Sequence, residues 1–156
     1  MSRGGADLAL LLLGGFRFMA EEAADRLAAR GYPGVRPAHD FALRAVAAGA
    51  DSVSEVGKHA AVSRQAAAKT LAFLEEGGYI LRSTHPSDAR RAHLVVTDRG
   101  HALMHEGEAV FDELRAEWES QVGRARISDL QDALLHLVGP DAATLSGWAE
   151  AGSLSD

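Results

Sequence analysis

The chain of 156 residues contains no cysteine. Disulfide bonds, thiolate metal sites and cysteine-based redox sensing are therefore excluded. The chain also lacks an apolar run of the roughly 20 residues that a membrane-spanning helix needs, because its most apolar stretch, Leu8 to Leu13, is far shorter. No convincing small-x-small cleavage site follows that stretch. The sequence therefore predicts neither a membrane span nor a secretory signal, and it favours a cytoplasmic location.

Motifs that would indicate an enzyme are missing as well. We find no nucleophile motif and no paired carboxylates, and Gly14-Gly15 is not followed by the spacing of a phosphate-binding loop. We therefore expect a protein that is not an enzyme and that uses no cofactor. One metal alternative stays open, because His101 and His105 are spaced i, i+4 and could share a Zn²⁺ ion through their imidazoles. The pair could equally occupy a polar helix face, since no further ligand can be identified from the sequence.

Positive charge is scarce overall and is concentrated in one segment. The net charge is −6, with 47 % hydrophobic residues and 24 % charged residues, which is typical of a folded domain. From Ser54 to Arg99 there are seven Lys and Arg residues against five Asp and Glu residues, a balance of +2, which leaves −8 for the remainder. For nucleic-acid binding the distribution of charge matters more than its sum. The segment 54–99 is therefore the part of the chain that could meet phosphates.

A helix is predicted to begin after Ser63, whose hydroxyl can accept hydrogen bonds from the free N–H groups of the first turn. Gly77-Gly78 is expected to end it, because glycine adopts the left-handed conformation without steric cost. Small and apolar residues recur at i, i+3, i+4 and i+7 and predict one buried stripe: Ala67, Thr70, Leu71 and Leu74.

The opposite side of this helix has the chemistry that the major groove of DNA requires. Arginine and lysine pair with guanine, glutamine pairs with adenine, and an alanine methyl packs against the thymine methyl. The candidate residues for the major groove are Ser63, Arg64, Gln65, Ala68 and Lys69. An ordinary polar surface helix would look the same, so this alternative remains open for the helix taken alone.

The residues on either side complete a larger pattern. Ser54 is predicted to cap a preceding short helix from Glu55 to His59 or Ala60, and residues 51–53 could add a short strand. After Gly78 the sequence predicts a strand at 79–82, a long basic loop at 83–93 and a second strand at 94–97. Two short helices followed by a β-hairpin predict a winged helix-turn-helix.

The hairpin residues resemble the wing of MarR-type transcriptional regulators. Asp88-Ala89-Arg90-Arg91, followed by Leu94-Val95-Val96-Thr97-Asp98-Arg99-Gly100, matches the Asp-x-Arg, apolar strand and glycine of that family at every spacing, with Val96 in place of the usual leucine. The resemblance implies that Arg90 enters a minor groove, where the negative potential is strongest. It also implies that Asp88 hydrogen-bonds within the wing and holds Arg90 out, with Arg91 reaching a phosphate. A solvated, mobile loop is the alternative.

Three positions depart from the family pattern. Ala60 replaces a leucine and Ala61 a glycine in the turn, which puts the aim of the recognition helix in doubt, and Phe73 stands where a basic residue is frequent. A structural consequence is expected at each position. The turn could be looser, and Phe73 could cost one phosphate contact.

Both ends of the chain predict helices. Residues 6–30 form a strongly apolar helical pattern, and Gly14-Gly15 predicts a kink or the close approach of another backbone. Thr97 is predicted to cap a helix to about Val122, Ser128 and Gln131 fit a capping box that starts another, and Leu145 and Trp148 could form a last short helix. A dimer partner is the simplest cover for the first helix, with packing inside one chain as the alternative.

The predicted fold class is mainly α (α+β): a winged helix-turn-helix lobe with a small β wing, plus a helical dimerisation lobe built from the N- and C-terminal helices. The ranges are 1–36 for the N-terminal dimerisation helix and loop, 37–100 for the DNA-binding lobe, and 101–156 for the C-terminal dimerisation helices, all in one compact chain.

The resemblance implies a sequence-specific transcriptional regulator, a homodimeric repressor on a pseudo-palindromic operator in double-stranded DNA. A small-molecule effector would bind between the dimerisation helices and the DNA-binding lobe, where His39 is a candidate contact by resemblance only. The residues themselves equally allow His39 to be an exposed or helix-end histidine. A second function stays open, a winged-helix interaction module that has lost specific DNA binding.

Overall fold

The computed structural model describes residues 4–60 and 62–140. Within these ranges six helices and one two-stranded sheet follow one another: α1 Gly5–Ala29, α2 Pro37–Ala47, α3 Val53–His59, α4 Arg64–Glu76, β1 Ile80–His85, β2 Asp88–Val96, α5 Asp98–Val122 and α6 Arg124–Val138. The predicted mainly helical class with a small β wing is confirmed. The turn residue Ala61 and the short helix expected near Leu145 and Trp148 lie outside the described residues.

The core lies where α2, α4, the start of the sheet and α5 meet. Its most deeply buried side chains come from all four of these elements: Leu43, Leu71, Leu74, Ile80, Leu103 and Leu114. The predicted stripe of α4 is confirmed, because Ala67, Leu71 and Leu74 are buried and Thr70 is partly buried. One side of α4 therefore packs against the core, and the other side is exposed to solvent.

The helix before α4 starts earlier than the sequence indicated. Ser52, and not Ser54, caps α3, since its Oγ accepts a hydrogen bond from the backbone N–H of Glu55 at 3.1 Å. The Glu55 carboxylate in turn accepts from the N–H of Asp51 at 2.6 Å. These two hydrogen bonds fix residues 51 and 52 as the segment that leads into α3, which begins at Val53. The third strand predicted there is therefore wrong, and the sheet of the described residues has two strands.

Close contact between α3 and α4 depends on Gly57. Val56 and Gly57 are both buried. A Cβ at Gly57 would lie 3.3 Å from the carbonyl oxygen of Val62 and 3.6 Å from the Cβ of Ala67. The two helices therefore cross at a distance that leaves little room for a larger side chain.

The wing is a longer hairpin than the sequence indicated. Residues 83–93 were expected to form a loop, but Ser83 pairs with His93 and Thr84 with Ala92 in an antiparallel ladder. Only Pro86 and Ser87 lie between the strands. The prediction of a long loop is wrong because pairing between distant backbone segments overrides the weak strand preference of these polar residues.

The first turn of α5 seats this helix against the sheet. Thr97 caps α5 as predicted, accepting from the N–H of Gly100 at 3.1 Å, and its hydroxyl donates to the carbonyl of Gly78 at 2.6 Å. Gly100 lies directly against the carbonyl of Tyr79, with no space for a Cβ. The glycine that ends the wing motif is therefore required by a close backbone approach.

The second half of α1 packs along α5 through arginines. Arg26 donates to Glu117 at 2.9 Å, and Arg30 donates to Glu106 at 2.9 Å and to Glu113 at 2.6 Å. The helix is continuous from Gly5 to Ala29, and the nearest group to a Cβ at Gly15 would be the Trp118 ring at 3.7 Å, not another backbone.

The first half of α1 leaves its leucines exposed. Leu8, Leu10 and Leu11 are 61 %, 65 % and 58 % exposed in the single chain. Within the described residues no helix combines the length and apolar character that crossing a membrane requires. An apolar surface of this kind on an isolated chain marks a place of contact.

The start of α6 differs from the prediction. The helix begins at Arg124, directly after Gly123, whose φ of +99° reverses the chain between α5 and α6. Ser128 lies inside the helix, so the capping box predicted with Gln131 is wrong. Gln131 instead accepts a hydrogen bond from Arg115 of α5 at 2.9 Å. The helix ends at Val138, directly before Gly139.

Candidate nucleic-acid interface

The N-terminal turns of α4 present the predicted polar side chains together. Ser63 caps the helix, and its Oγ accepts from the N–H of Ala66 at 3.1 Å. Four further residues of the predicted major-groove set are exposed on the side opposite the buried stripe: Arg64, Gln65, Ala68 and Lys69. The arrangement offers hydrogen-bond donors of three kinds and one methyl group on a rigid helix.

A bulge shapes the part of the wing that carries its arginines. Thr84 pairs with Ala92, but the next residue, His85, pairs with Asp88, so residues 89–91 are extra in the second strand. A bulge of this kind breaks the alternation of a strand and redirects its side chains. Arg90 and Arg91 lie within it and are exposed. They are near the tip of the wing, on a bulged strand and not on the expected loop.

Asp88 makes the hydrogen bond within the wing that the resemblance implied. Its Oδ1 atom accepts from the backbone N–H of Arg90 at 3.0 Å. This bond occupies a main-chain donor that the bulge removes from the ladder. It also holds the backbone of Arg90 in place while leaving its guanidinium exposed.

A basic notch joins α4 to the wing. Arg64, Arg82 and Arg91 line a depression of about 350 Å³, together with Asp51 and with the serines at the start of α3. Arg82 was not among the residues predicted from the sequence, although a basic residue in the first wing strand was a signal for it. Its side chain donates to Glu75 at 2.9 Å. Three guanidinium groups in one depression suit a phosphate.

A larger cleft of about 980 Å³ lies between α1, α2 and α5. Most of its lining is apolar, and it also includes five charged residues: Arg36, Asp40, Arg44, Glu108 and Asp112. Arg44 donates to Asp40 at 2.8 Å and to Glu108 at 3.2 Å. Burial raises the pKa of the Asp40 carboxyl, and the hydrogen bond from Arg44 partly offsets that rise. An apolar cleft with a few convergent polar groups is the usual form of a small-molecule site.

His39 is a helix-end histidine and does not line this cleft. Its Nδ1 accepts from the backbone N–H of Arg36 at 2.8 Å, and its ring stacks on Phe73 with centroids 3.8 Å apart. Burial, together with the positive charge of Arg36, lowers the pKa of His39 to about 4. The ring is therefore neutral near pH 7, which its role as a hydrogen-bond acceptor requires.

Phe73 has a structural position that the sequence analysis missed. It is partly buried, stacks between His39 and Tyr79, and lies where a Cβ on Gly34 would be 3.3 Å away. Its contacts tie α4 to the start of α2 and to the loop before it. Phe73 therefore provides an aromatic contact between α4 and α2.

The two histidines considered for a metal lie exposed on α5. Neither His101 nor His105 belongs to a group of three potential ligands among residues 4–60 and 62–140. The group of that size in these ranges is Asp51, His85 and His93. The sequence analysis did not connect these residues, because they are distant in the chain and only the fold brings them together.

No protein-family model and no curated protein match the sequence. Solved structures do match. A MarR-family transcriptional regulator from Rhodococcus sp. RHA1 is 17 % identical and superposes with a TM-score of 0.64, covering 89 % of this chain and 98 % of its own. A MarR-family protein from Mycobacterium tuberculosis, in complex with p-aminosalicylic acid, is 25 % identical with a TM-score of 0.63 and covers 85 % and 98 %. A mutant of MepR from S. aureus, bound to an oligodeoxyribonucleotide, is 18 % identical with a TM-score of 0.59 and covers 84 % and 95 %.

These similarities extend over most of each chain. The chain therefore has the MarR-type winged helix-turn-helix fold, as the residues of its wing indicated.

Proposed function

We propose that the protein is a sequence-specific transcriptional regulator that binds double-stranded DNA. The observation that carries this proposal is the exposure of Arg64, Gln65 and Lys69 on the outer side of α4 while Arg90 extends from a bulge in the wing beside it. The oligodeoxyribonucleotide bound to the similar MepR mutant supports it. The similar structures include transcriptional regulators, which supports a function without catalysis.

In this proposal α4 enters the major groove. Ser63, Arg64, Gln65, Ala68 and Lys69 contact base edges and the adjacent backbone, and Arg90 enters the flanking minor groove. Asp88 holds the wing backbone, and Arg91 contacts a phosphate from the notch that it shares with Arg64. Residues 37–100 act as the DNA-binding lobe.

We further propose that the protein acts as a homodimer. The first half of α1 and the end of α6 expose large apolar side chains in the single chain, including Leu11 at 58 % and Leu137 at 77 %. A second copy would bury both surfaces about a two-fold axis. Residues 1–36 and 101–156 then serve dimerisation, and the operator is a pseudo-palindrome with half-sites about one helical turn apart, roughly 10 bp.

A small-molecule effector is proposed for the cleft of about 980 Å³ between α1, α2 and α5. Helix α2 lines this cleft with one side and packs against α4 through Leu43 and its neighbours in the core. A ligand that displaces α2 would therefore displace the recognition helix. The p-aminosalicylic acid bound to the similar mycobacterial protein supports a small-molecule effector. By linkage, a ligand that weakens DNA binding binds less well to the DNA-bound protein. Repression in the cytoplasm, relieved by the ligand, is the proposed outcome.

The test is binding of the purified protein to duplex DNA from upstream of its own gene, measured by fluorescence anisotropy at several salt concentrations. We expect one tight site, steep salt dependence, and a loss of at least about tenfold in affinity for Arg90→Ala. Arg124→Ala is the matched control, because it removes the same charge from a side chain of α6 that is 87 % exposed. Its affinity should stay within about twofold of the wild type, a change of under about 0.5 kcal/mol.

One result would assign the protein to a different functional class. Weak binding that is equal for every duplex and unaffected by Arg90→Ala would contradict the proposal. It would favour a winged-helix module that binds a protein partner through its surface instead of DNA.

A further inference from the structure

Three potential metal ligands meet where the wing contacts the start of α3. Asp51 lies between α2 and α3, His85 is the last residue of β1, and His93 lies in β2. One ligand atom of each residue lies within 4.8 Å of the others. Asp51 Oδ1 is 2.6 Å from Nδ1 of His93, and Asp51 Oδ2 is 3.6 Å from Nε2 of His85. The side chains are partly buried, with Asp51 only 13 % exposed.

The hydrogen bonds of this cluster are incomplete. Nδ1 of His93 is buried and lies close to the Asp51 carboxylate, but the alignment is not that of a hydrogen bond. It therefore has no hydrogen-bond partner within the described part of the chain. A buried polar atom in this condition carries a cost unless another group, such as an ion, satisfies it.

We propose that Asp51, His85 and His93 bind a divalent transition-metal ion of the Zn²⁺ type. Two imidazole nitrogens and one carboxylate oxygen are a common ligand set for such ions. Donors about 2.1 Å from a tetrahedral Zn²⁺ ion lie about 3.4 Å from one another. The two measured separations involve different oxygens of Asp51 and lie on either side of this value, and one ligand atom of each residue lies within 4.8 Å of the others. Side-chain rotations that move Nδ1 of His93 away from Asp51 would bring the three donors to this spacing. Three protein ligands leave the fourth position to water.

Ser87 supplies the outer support that a ligating histidine needs. Its Oγ lies 2.9 Å from Nδ1 of His85, and its backbone N–H also points to this nitrogen at 3.1 Å. In this arrangement Nδ1 accepts from the backbone N–H of Ser87 and is therefore unprotonated. Metal binding through Nε2 requires the ring proton on Nδ1, which then gives up the backbone bond and donates a hydrogen bond to the Ser87 hydroxyl instead. Such a partner fixes both the tautomer and the orientation of the ring.

The ion would connect both wing strands to Asp51, two residues before α3. The wing could then tilt less relative to α3 and α4, because a hairpin attached at one end would gain a second attachment near its tip. This inference goes beyond the proposed regulator function. Metal binding is measured without DNA, so failure of one proposal does not imply failure of the other.

The test is titration of the tag-free, chelator-treated full chain with Zn²⁺ in competition with a chelating dye, and with Co²⁺ monitored by its visible absorption. We expect one ion per chain. His85→Ala and His93→Ala should each weaken binding roughly 100-fold or more, since changes even to outer-shell partners cost 10- to 100-fold. The double variant His101→Ala/His105→Ala is the matched control and should bind like the wild type, because it also removes two histidines.

A conservative variant and a second measurement separate ligand loss from misfolding. Asp51→Asn keeps the size of the side chain and its acceptor for the Leu94 N–H, and circular dichroism will show that it is folded. It should still lose the Co²⁺ spectrum of the wild type. Zn²⁺ should also slow hydrogen exchange of residues 80–96 in the wild type and leave the exchange of His93→Ala unchanged. Stoichiometric binding that persists in all three site variants, or that disappears only in the control, would overturn the proposal, as would no binding by the wild type.

Discussion

The winged-helix segment and the helical ends of the chain place their apolar side chains in opposite ways. In the segment, Leu43, Leu71 and Ile80 are fully buried by other parts of the same chain. At the ends, α1 and α6 carry equally apolar residues, yet Leu11 and Leu137 remain more than half exposed. The difference teaches that one chain closes the core around α4 but does not cover the outer helices. The proposed second copy would cover the exposed apolar side chains of these helices.

The largest effect is expected from breaking the proposed cover of α1. Leu11→Glu places a charge in the shared surface of both copies, and burying a leucine contributes about 1.5–3 kcal/mol per copy. The dissociation constant of the dimer should therefore rise by about 100-fold or more. Sedimentation equilibrium over a range of concentrations measures it.

Leu81→Glu is the control, since Leu81 of the wing is also 58 % exposed. The dissociation constant of its dimer should equal that of the wild type. Equal dissociation by both variants, or by neither, would contradict a dimer formed through α1.

A smaller but still large effect is expected inside the winged-helix segment. Gly100→Ala forces a Cβ against the carbonyl of Tyr79 and toward a methyl group of Val96. Overpacking against backbone should lower the free energy of unfolding by about 3 kcal/mol. Urea unfolding followed by circular dichroism measures this change at fixed protein concentration.

Gly107→Ala, in the same helix, provides the contrast. A Cβ there would meet only Asp40 Oδ1 at 4.0 Å. Because alanine favours a helix over glycine, the variant should be more stable than the wild type by up to about 1 kcal/mol. Similar destabilisation by both variants would show that the close approach at Gly100 is not the cause.

The smallest expected effect concerns the contact between α2 and α4. The pKa of His39 in the folded protein is about 4, below the ordinary value of 6.5, because burial and the positive charge of Arg36 disfavour the protonated ring. The unfolded chain therefore binds more protons between these pH values. Stability is fully present above pH 6.5 and is lost as the pH falls from 6.5 toward 4, by at most about 1.4 kcal/mol per pH unit. Partial exposure of the ring reduces this slope.

His39→Gln should flatten that part of the pH profile of unfolding, while the glutamine can still accept a hydrogen bond at the start of α2. His101→Gln, at an exposed position of α5, should keep the slope of the wild type. An unchanged slope in His39→Gln would show that His39 does not titrate in this range.

Where structural information was local, the sequence predicted the fold well. The cap at Ser63, the stripe ending at Leu74 and the stop at Gly77-Gly78 are all confirmed in α4, and Thr97 caps α5 as expected. Helix starts with competing signals were predicted less well. Ser52 is followed three residues later by Glu55, which was the available signal, but Ser54 lies close enough to be mistaken for the cap.

The wing shows where local signals end. Its existence followed from two short β-type runs, but its length depends on pairing between Ser83 and His93, and its bulge depends on the partner of His85. A strand made of polar residues has no periodicity of its own that reports such pairing. The placement of Arg90 and Arg91 in the bulge was therefore outside what the sequence could predict.

The sequence by itself determined the position of α4, the order of the elements and the identity of the basic residues, because caps, glycines and helical periodicity act over a few residues. Only the tertiary structure decided the contact of His39 with Phe73, the close approach at Gly100 and the meeting of Asp51, His85 and His93. These contacts join residues far apart in the chain. Their positions follow from how whole elements pack, which no short stretch of sequence encodes.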